Sequence, residues 1–419
     1  MTSGAFEVLM TCVAIAGLAA VVWAWPRAGG HSGRHLAGRA GLLVGSQLLV
    51  VTAFLAGLNG YFGFIGSWSQ LFGAGRQPIA ASGPGRASAG EPASSAPSFR
   101  VTGVQPGPAP HGRLLTARTP GPEAGAGRPA RTRPGSARPG NGGQRGAPGP
   151  AVTGRLVQVS MTGPRTGITV RGDYVYLPPQ YFQPAYARAR FPVVLALTGY
   201  PGSAWTLAAR LGLPAEAAGL VAAGRLPPAV YVLMGSGPAL PRDTECTNIP
   251  AGPQVETFFA QDVPRLIEQH FRVQAGASGW AALGYSTGGY CAAKLAMLNP
   301  YQFRSAVSVA GYYVALRDAT TGNLYGGSLA YRHENDLDWR LRHLPAPPVS
   351  LLVTSSKVGE DTYPGTLAFL RLARPPMRVY SLILPEGGHN YGTWRRELPQ
   401  CLAWLGPRIT PPAQGRDPG

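Results

Sequence analysis

Apolar residues fall into zones along the chain that differ in the length of their hydrophobic runs. Two long runs lie near the N-terminus, a stretch with no core-forming pattern follows, and short apolar runs then alternate with helical patterns. Runs of about twenty apolar residues can cross the hydrocarbon core of a bilayer, whereas runs of about five are typical of buried strands. The pattern predicts a membrane anchor over 1–71, a linker over 72–155, a globular domain over 156–408 and a disordered tail over 409–419.

The anchor contains two predicted transmembrane helices, at about 6–25 and 41–60. The loop between them carries Arg27, Arg34 and Arg39, and the positive-inside rule places such a loop in the cytoplasm. The domain that follows the anchor is then extracytoplasmic. An alternative interpretation takes the second run as the apolar part of a secretory signal, which leaves the first run unexplained.

The predicted linker over 72–155 consists mostly of Gly, Pro, Ala, Ser and Arg, with eleven Arg against two Glu. This composition buries too little apolar surface to offset the loss of chain entropy, so it predicts a disordered tether. The formal net charge is +18, but no basic stripe interleaved with aromatic residues is present, so we expect no nucleic acid partner. We expect the Arg-rich linker to contact an anionic surface instead, such as lipid headgroups or a cell-wall polymer.

The globular domain shows short continuous apolar runs that alternate with helical periodicity. Such runs indicate strands buried on both faces, and their alternation with helices indicates a mainly parallel sheet covered by helices on both faces, an α/β fold. Strands are predicted at 156–161, 173–177, 193–197, 230–234, 306–309, 349–354 and 379–384, and helices at 205–223, 255–271, 362–373 and 393–405.

The candidate chemistry centres on Ser286, which lies in the G-x-S-x-G pattern of residues 284–288. An apolar run that predicts a strand precedes the pattern, and an Ala- and Leu-rich helical stretch follows it. A strand, a tight turn flanked by glycines and a helix are the context of a nucleophile elbow, where a strained serine needs small neighbours. Ser286 is therefore the predicted nucleophile.

A serine nucleophile needs a base, and the base needs a carboxylate that orients it. His389 directly follows the last predicted strand, at the edge where an open α/β sheet keeps its chemistry, so it is the predicted base. The carboxylate is expected after the strand at 349–354, where Glu360 and Asp361 are neighbours. We expect Asp361 to be the acid and keep Glu360 as the alternative, because the sequence does not fix the register of this loop.

Backbone N–H groups are expected to stabilise the oxyanion that forms during acyl transfer. One is that of Thr287, directly after the nucleophile, and the other that of Tyr200, in the Gly- and Pro-rich loop after the strand at 193–197. Cys246 and Cys291 are both expected near the catalytic edge and form a candidate disulfide, with free thiols as the alternative. No spacing of cysteine and histidine suggests zinc, and no cofactor is expected.

With these residues in place, the domain resembles the esterase family of α/β-hydrolases that includes esterase D-like enzymes and the mycolyltransferases. The motifs that carry the resemblance lie at 255–264, before the elbow, at 299–303, after it, and at 389–394, around the histidine. The resemblance covers roughly residues 170 to 405. It implies the α/β-hydrolase fold and a triad of Ser286, His389 and Asp361 or Glu360.

The combined prediction is a membrane-tethered extracytoplasmic serine esterase that acts on small-molecule or lipid esters through an acyl-enzyme. One alternative is an acyltransferase that moves the acyl group to a sugar or lipid hydroxyl, which would require a site that excludes water. Another alternative is a non-catalytic cell-envelope binding protein on a hydrolase fold.

Overall fold

The computed structural model describes residues 4–27, 30, 33–62, 98–107 and 154–414. Two long helices, α1 (Gly4–Ala24) and α2 (Gly33–Phe62), form the N-terminal part. They pack closely at Gly17, where a Cβ atom would lie 2.5 Å from Cδ1 of Leu49.

The two N-terminal helices differ in their capacity to cross a membrane. Within the residues that the structure describes, the stretch Arg34–Gly57 of α2 is long and apolar enough to do so. The apolar stretch of α1, Val8–Ala24, is shorter. The structure thus contains both predicted helices, whereas the predicted two-helix membrane anchor is not confirmed.

A nine-stranded sheet in the order β1-β2-β3-β6-β5-β7-β8-β9-β10 forms the centre of the globular domain. Its first three strands pair antiparallel with their neighbours, and the six strands from β6 to β10 in this order run parallel to one another. The strands are β1 (Phe99–Pro106), β2 (Arg155–Thr162), β3 (Thr169–Leu177), β5 (Val193–Leu197), β6 (Val230–Met234), β7 (Trp280–Tyr285), β8 (Ser305–Val309), β9 (Ser350–Val358) and β10 (Arg378–Glu386).

Helices cover both faces of this sheet, as the buried strands require. Side chains along β5 alternate between two hydrophobic clusters: Val193, Leu195 and Leu197 enter one, Val194 and Ala196 the other. The helices are α3 (Ala204–Ala209), α4 (Leu213–Ala222), α5 (Val255–Thr257), α6 (Val263–His270), α7 (Thr287–Leu298), α8 (Leu329–Asn335), α9 (Leu337–His343), α10 (Tyr363–Leu372) and α11 (Tyr391–Leu405).

Two helices predicted as continuous are interrupted. The helix predicted at 205–223 is divided into α3 and α4 at Gly212, whose φ of +75° lies in the left-handed region. The helix predicted at 255–271 contains a π-helical segment, Phe258–Asp262, between α5 and α6. Pro264 at the start of α6 lacks the N–H that a regular α-helical ladder would use.

The predicted disordered linker requires a correction, because part of it belongs to the sheet. β1 pairs antiparallel with β2, with Phe99 opposite Met161, and the Phe99 ring stacks on His270 with centroids 4.1 Å apart. This segment concentrates aromatic and β-branched residues, which are sparse in the rest of the predicted linker, so it can form a strand. The remainder, 72–97 and 108–153, lies outside the described residues.

The C-terminal boundary of the domain also lies later than predicted. Ile409 is buried, and the short strand β11 (Ala413–Gln414) pairs with β4 (Ala189–Arg190). Residues 409–414 therefore pack on the domain instead of forming a disordered tail, whereas 415–419 lie outside the described residues.

Candidate active site

Ser286 occupies the sharp turn between β7 and α7. Its backbone has φ 56° and ψ −125°, a conformation that non-glycine residues rarely adopt, and its N–H donates to the carbonyl of Val309 at 2.9 Å. β7 ends at Tyr285 and α7 begins at Thr287, so Ser286 lies between the strand and the helix and belongs to neither. The turn projects its side chain from the carboxyl edge of the parallel strands, as in a nucleophile elbow.

The glycines of the elbow are required by close backbone approach. A Cβ on Gly284 would lie 2.1 Å from the carbonyl oxygen of Gly288, and a Cβ on Gly288 would lie 2.3 Å from the carbonyl oxygen of Leu197. Backbone atoms cannot rotate away as a flexible side chain can, so only glycine fits at both positions.

His389 lies between the serine and a carboxylate. Its Nε2 is 2.8 Å from Oγ of Ser286, and its Nδ1 is 3.0 Å from Oε1 of Glu360. The ring contacts Trp394 edge-on, with centroids 5.1 Å apart. These distances allow the imidazole to take a proton from Ser286 on one side while a carboxylate holds it on the other.

The carboxylate beside His389 belongs to Glu360, so the predicted choice of Asp361 is wrong. The Glu360 side chain is 1% exposed, whereas Asp361 lies on the surface. The chain turns sharply after β9 at Gly359, whose φ is +85°, and this turn directs Glu360 inward. If the loop were shifted by one residue, Asp361 would face His389 in place of Glu360, and nothing in the sequence indicates which of the two positions the loop adopts.

The loop that contains Tyr200 packs directly against the nucleophile. A Cβ on Gly199 would lie 2.9 Å from Cβ of Ser286, and the loop is closed by a hydrogen bond from the Gly202 N–H to the Gly199 carbonyl at 2.8 Å. The Thr198 hydroxyl also donates to the Gly202 carbonyl, at 3.0 Å. The structure thus places the predicted loop against Ser286, with Thr287 next in the chain, and the role of Tyr200 and Thr287 as oxyanion donors remains a prediction.

A small cleft opens beside Ser286 and His389, and four tyrosine and tryptophan rings contribute to its wall. Tyr285 stacks on Trp394 with centroids 4.6 Å apart, and its hydroxyl is 2.9 Å from that of Tyr391. The cleft is a preformed, largely apolar surface next to the candidate nucleophile. Its lining consists of Gly199, Tyr200, Pro201, Gly202, Tyr285, Ser286, His389, Asn390, Tyr391 and Trp394.

A buried polar cluster lies behind the elbow, and the sequence interpretation did not include it. The Thr287 hydroxyl donates to Oδ2 of Asp243 at 3.2 Å, and the Tyr312 hydroxyl donates to Oε1 of Glu245. Burial raises the pKa of Asp243 to about 6 and that of Glu245 to about 8, in spite of hydrogen bonds that lower both. The sequence signal for this cluster is the i, i+4, i+7 spacing of Thr287, Cys291 and Lys294, which puts them on one face of α7.

A further carboxyl group, that of Glu397 in α11, is buried close enough to Glu360 to feel its charge. Its Oε2 accepts a hydrogen bond from the Thr354 hydroxyl at 2.8 Å. Burial raises the pKa of Glu397 to about 7, and the charge of Glu360 contributes to this shift. No pattern in the sequence indicated this residue.

The candidate disulfide between Cys246 and Cys291 is present, with Cα atoms 5.6 Å apart. It joins the loop of the buried polar cluster to the helix that follows Ser286. Cys401 is a buried free thiol, and Cys12 is an exposed one. Within the part of the chain that the structure describes, no group of three or more His, Cys, Asp or Glu residues could hold a metal ion.

Residues 169–360 match the family model described as "Putative esterase". An uncharacterized protein of Corynebacterium glutamicum is 26% identical over 266 residues, which cover 58% of this chain and 58% of that protein. The chain thus spans little more than half the length of this curated relative.

Solved structures share the fold of the domain. A ferulic acid esterase has a TM-score of 0.52 at 18% identity and covers 61% of this chain and 98% of its own. An S-formylglutathione hydrolase from Agrobacterium tumefaciens has a TM-score of 0.52 at 18% identity and covers 62% and 98%. At this identity the likeness shows the α/β-hydrolase fold. Together with the family match, it supports a carboxylic ester hydrolase.

Proposed function

We propose that this protein is a membrane-tethered serine esterase that cleaves carboxylic esters through an acyl-enzyme. The observation that carries the proposal is the position of His389, whose two ring nitrogens contact Ser286 and Glu360 at 2.8 and 3.0 Å. A strained serine beside an imidazole held by a buried carboxylate is the arrangement that turns a weak hydroxyl nucleophile into a reactive one.

In the proposed reaction, Oγ of Ser286 attacks the ester carbonyl while Nε2 of His389 takes the serine proton. The imidazolium then gives this proton to the leaving alcohol as the ester C–O bond breaks. Water attacks the resulting acyl-enzyme with the same base, releases the acid and restores the serine. Glu360 orients His389 and stabilises the imidazolium, and the N–H groups of Tyr200 and Thr287 bind the oxyanion in both halves of the reaction.

Water is the favoured acceptor of the acyl group. The side chain of His389 is 42% exposed, so water reaches the base directly. Transfer to a sugar or lipid hydroxyl would require a site that excludes water and binds the acceptor. No contact among the described residues specifically favours that reaction.

The proposal places the domain on the extracytoplasmic side of a membrane, with α2 as the spanning helix. The length and apolar composition of Arg34–Gly57 support the span. The disulfide between Cys246 and Cys291 supports the side, because such bonds persist mainly in oxidising compartments outside the cytoplasm.

Labelling with a fluorophosphonate probe tests the catalytic part of the proposal. The full-length protein in detergent is expected to bind the probe at Ser286 and to hydrolyse short-chain p-nitrophenyl esters. A Ser286→Ala variant is expected to lose labelling and about 10⁴-fold or more of kcat. A wild-type protein that neither labels nor hydrolyses any ester would favour the non-catalytic binding protein.

Two further measurements test the acyl acceptor and the side of the membrane. Product analysis with and without added trehalose or glycerol separates hydrolysis from transfer: a transfer enzyme would form acylated acceptor at the expense of free acid. Accessibility of a cysteine introduced at exposed Asp361 to a membrane-impermeant maleimide in intact cells tests the side of the membrane. Labelling only after lysis would contradict the extracytoplasmic placement.

A further inference from the structure

We infer that Asp243 is a positioning residue of the active site, which acts through the side chain of Thr287 to hold the first turn of α7. The inference rests on the proposed function, because that function assigns the N–H of Thr287 to the oxyanion. It extends the set of functional residues beyond the triad to a loop that lies 44 positions before Thr287 in the sequence.

Asp243 is held so that one carboxylate oxygen faces Thr287. Its Oδ1 accepts the N–H of Glu245 at 3.1 Å, which fixes the carboxylate relative to its own loop. Its Oδ2 accepts the Thr287 hydroxyl at 3.2 Å. Asp243 is 4% exposed and Thr287 is 5% exposed, so water does not compete freely for this bond.

The bond to Thr287 is one of several contacts that join the loop to a single face of α7. One turn further along the helix, Cys291 forms the disulfide with Cys246. Almost one turn beyond that, the Lys294 ammonium donates to the Glu245 carbonyl at 3.0 Å and to the Thr247 hydroxyl at 2.8 Å. Side chains four and three residues apart lie on the same face of a helix, so the loop contacts α7 along its first two turns.

Of these contacts, only that of Thr287 lies at the reacting end of the helix. The first N–H groups of a helix have no partner within the helix, which leaves them available to bind an anion. Thr287 is the first residue of α7, and its N–H can serve the oxyanion only while the turn after Ser286 keeps its orientation. An error of about 1 Å in such a donor can lower the rate about 100-fold. The hydroxyl bond to Asp243 fixes the side chain of the same residue that supplies this donor.

The Tyr312 hydroxyl completes the surroundings of the Thr287 side chain. It lies 3.4 Å from Oγ1 of Thr287 and donates to Glu245, and its ring stacks on Tyr290 of α7 with centroids 5.1 Å apart. The Thr287 hydroxyl therefore has two polar neighbours, the Asp243 carboxylate and the Tyr312 hydroxyl. A threonine chosen only for its size would not require a buried carboxylate there.

The test compares four variants of the full-length protein in detergent with wild type. Thr287→Val removes the hydroxyl at nearly constant volume, and Asp243→Ala removes its acceptor. Thr287→Ser keeps the hydroxyl, and Asp243→Asn replaces the carboxylate with a polar amide of the same shape. We expect the first pair to lower kcat about 10-fold or more with KM changed little, and the second pair to lose much less.

Two readouts separate positioning from a merely structural role. The affinity for an alkyl boronic acid, which forms a tetrahedral adduct with the serine, is expected to fall in parallel with kcat in Thr287→Val and Asp243→Ala. The double variant is expected to be no slower than the slower single variant, because both changes remove the same bond. Tryptophan fluorescence and mass spectrometry check that the fold and the disulfide are intact.

The inference is overturned if Thr287→Val keeps wild-type kcat and boronate affinity, or if the losses of the single variants multiply in the double variant. If Asp243→Ala does not fold, the inference is tested by comparing kcat and boronate affinity of Thr287→Val with those of Thr287→Ser. Wild-type protein that is neither labelled by a fluorophosphonate nor active would instead contradict the proposed function. A labelled and active wild type with unaffected variants would contradict this inference alone.

Discussion

Nδ1 of His389 lies 3.0 Å from Oε1 of Glu360, while the adjacent Asp361 points to solvent. Two neighbouring carboxylates therefore have opposite environments, because the turn at Gly359 buries the first and exposes the second. The pair offers a matched comparison in which the same chemical change is made one residue apart.

Glu360→Gln is expected to lower kcat by about 10³-fold or more, because a neutral amide neither stabilises the imidazolium nor enforces its tautomer. Asp361→Asn is the control and is expected to stay within about twofold of wild type, since surface substitutions have small effects. Steady-state hydrolysis of a short-chain ester measures both. Equal losses in the two variants, or a larger loss in Asp361→Asn, would exclude Glu360 as the orienting acid.

Gly288→Ala is expected to abolish ester hydrolysis and to destabilise the fold, because the added Cβ would lie 2.3 Å from a backbone oxygen of Leu197. Gly219→Ala is the control within α4, where an added Cβ meets no atom within 4 Å. This control is expected to be stabilised by about 0.5 to 1 kcal/mol, the usual gain for alanine in a helix. Fluorophosphonate labelling and thermal unfolding report the two effects. A labelled, stable Gly288→Ala variant would show that the elbow is looser than described.

Glu397→Gln is expected to become more stable relative to wild type as the pH rises from about 4.5 to about 7. The pKa of Glu397 is raised from 4.5 to about 7 by burial, so the folded wild type binds more protons than the unfolded chain in this window. Wild-type stability therefore falls as pH rises through the window and is level above it, whereas a glutamine does not titrate. The difference is expected to reach up to about 3 kcal/mol.

Chemical unfolding of the full-length protein at pH 5 and pH 8 measures this difference. Glu386→Gln is a suitable control, because Glu386 is an exposed carboxylate at the end of β10. A Glu397→Gln variant whose stability relative to wild type is the same at both pH values would contradict the raised pKa.

Replacing Cys246 and Cys291 together with alanine is expected to lower the free energy of unfolding by up to about 4 kcal/mol. The estimate is the loop-closure entropy of a crosslink whose cysteines are 45 residues apart. Because the crosslink joins the Asp243 loop to α7, kcat is also expected to fall. Urea unfolding and ester hydrolysis measure the two effects, with Cys12→Ala as a control that removes a thiol without a disulfide. An unchanged urea midpoint would show that the loop is held without the crosslink.

The sequence predicted the sheet and most of its helices because its signals are local. Continuous apolar runs such as Val193–Leu197 mark strands buried on both faces, and the structure contains a strand with these bounds. The interruptions at Gly212 and at the π-helical segment Phe258–Asp262 were missed. Each involves a single residue, Gly212 or Pro264, that the apolar periodicity of the segment does not register.

The strand β1 shows the limit of composition as a guide. Averaged over 72–155, the sequence predicted disorder, and the eight residues Phe99–Pro106 were too few to change that average. Their partner, β2, begins at Arg155, about fifty residues further along the chain. Pairing across such a separation is decided by the exposed edge that the folded sheet offers, not by the strand itself.

By itself, the sequence predicted the candidate nucleophile, its candidate base and the candidate cysteine pair, because each has a local mark. Ser286 has its glycines, His389 follows the last long strand, and Cys246 and Cys291 flank the catalytic edge. Only the tertiary structure decided between Glu360 and Asp361, and only it brought Asp243 to Thr287 and Glu397 near Glu360. The physical reason is that burial and orientation are properties of the packed chain. A shift of the loop by one residue would bury Asp361 and expose Glu360.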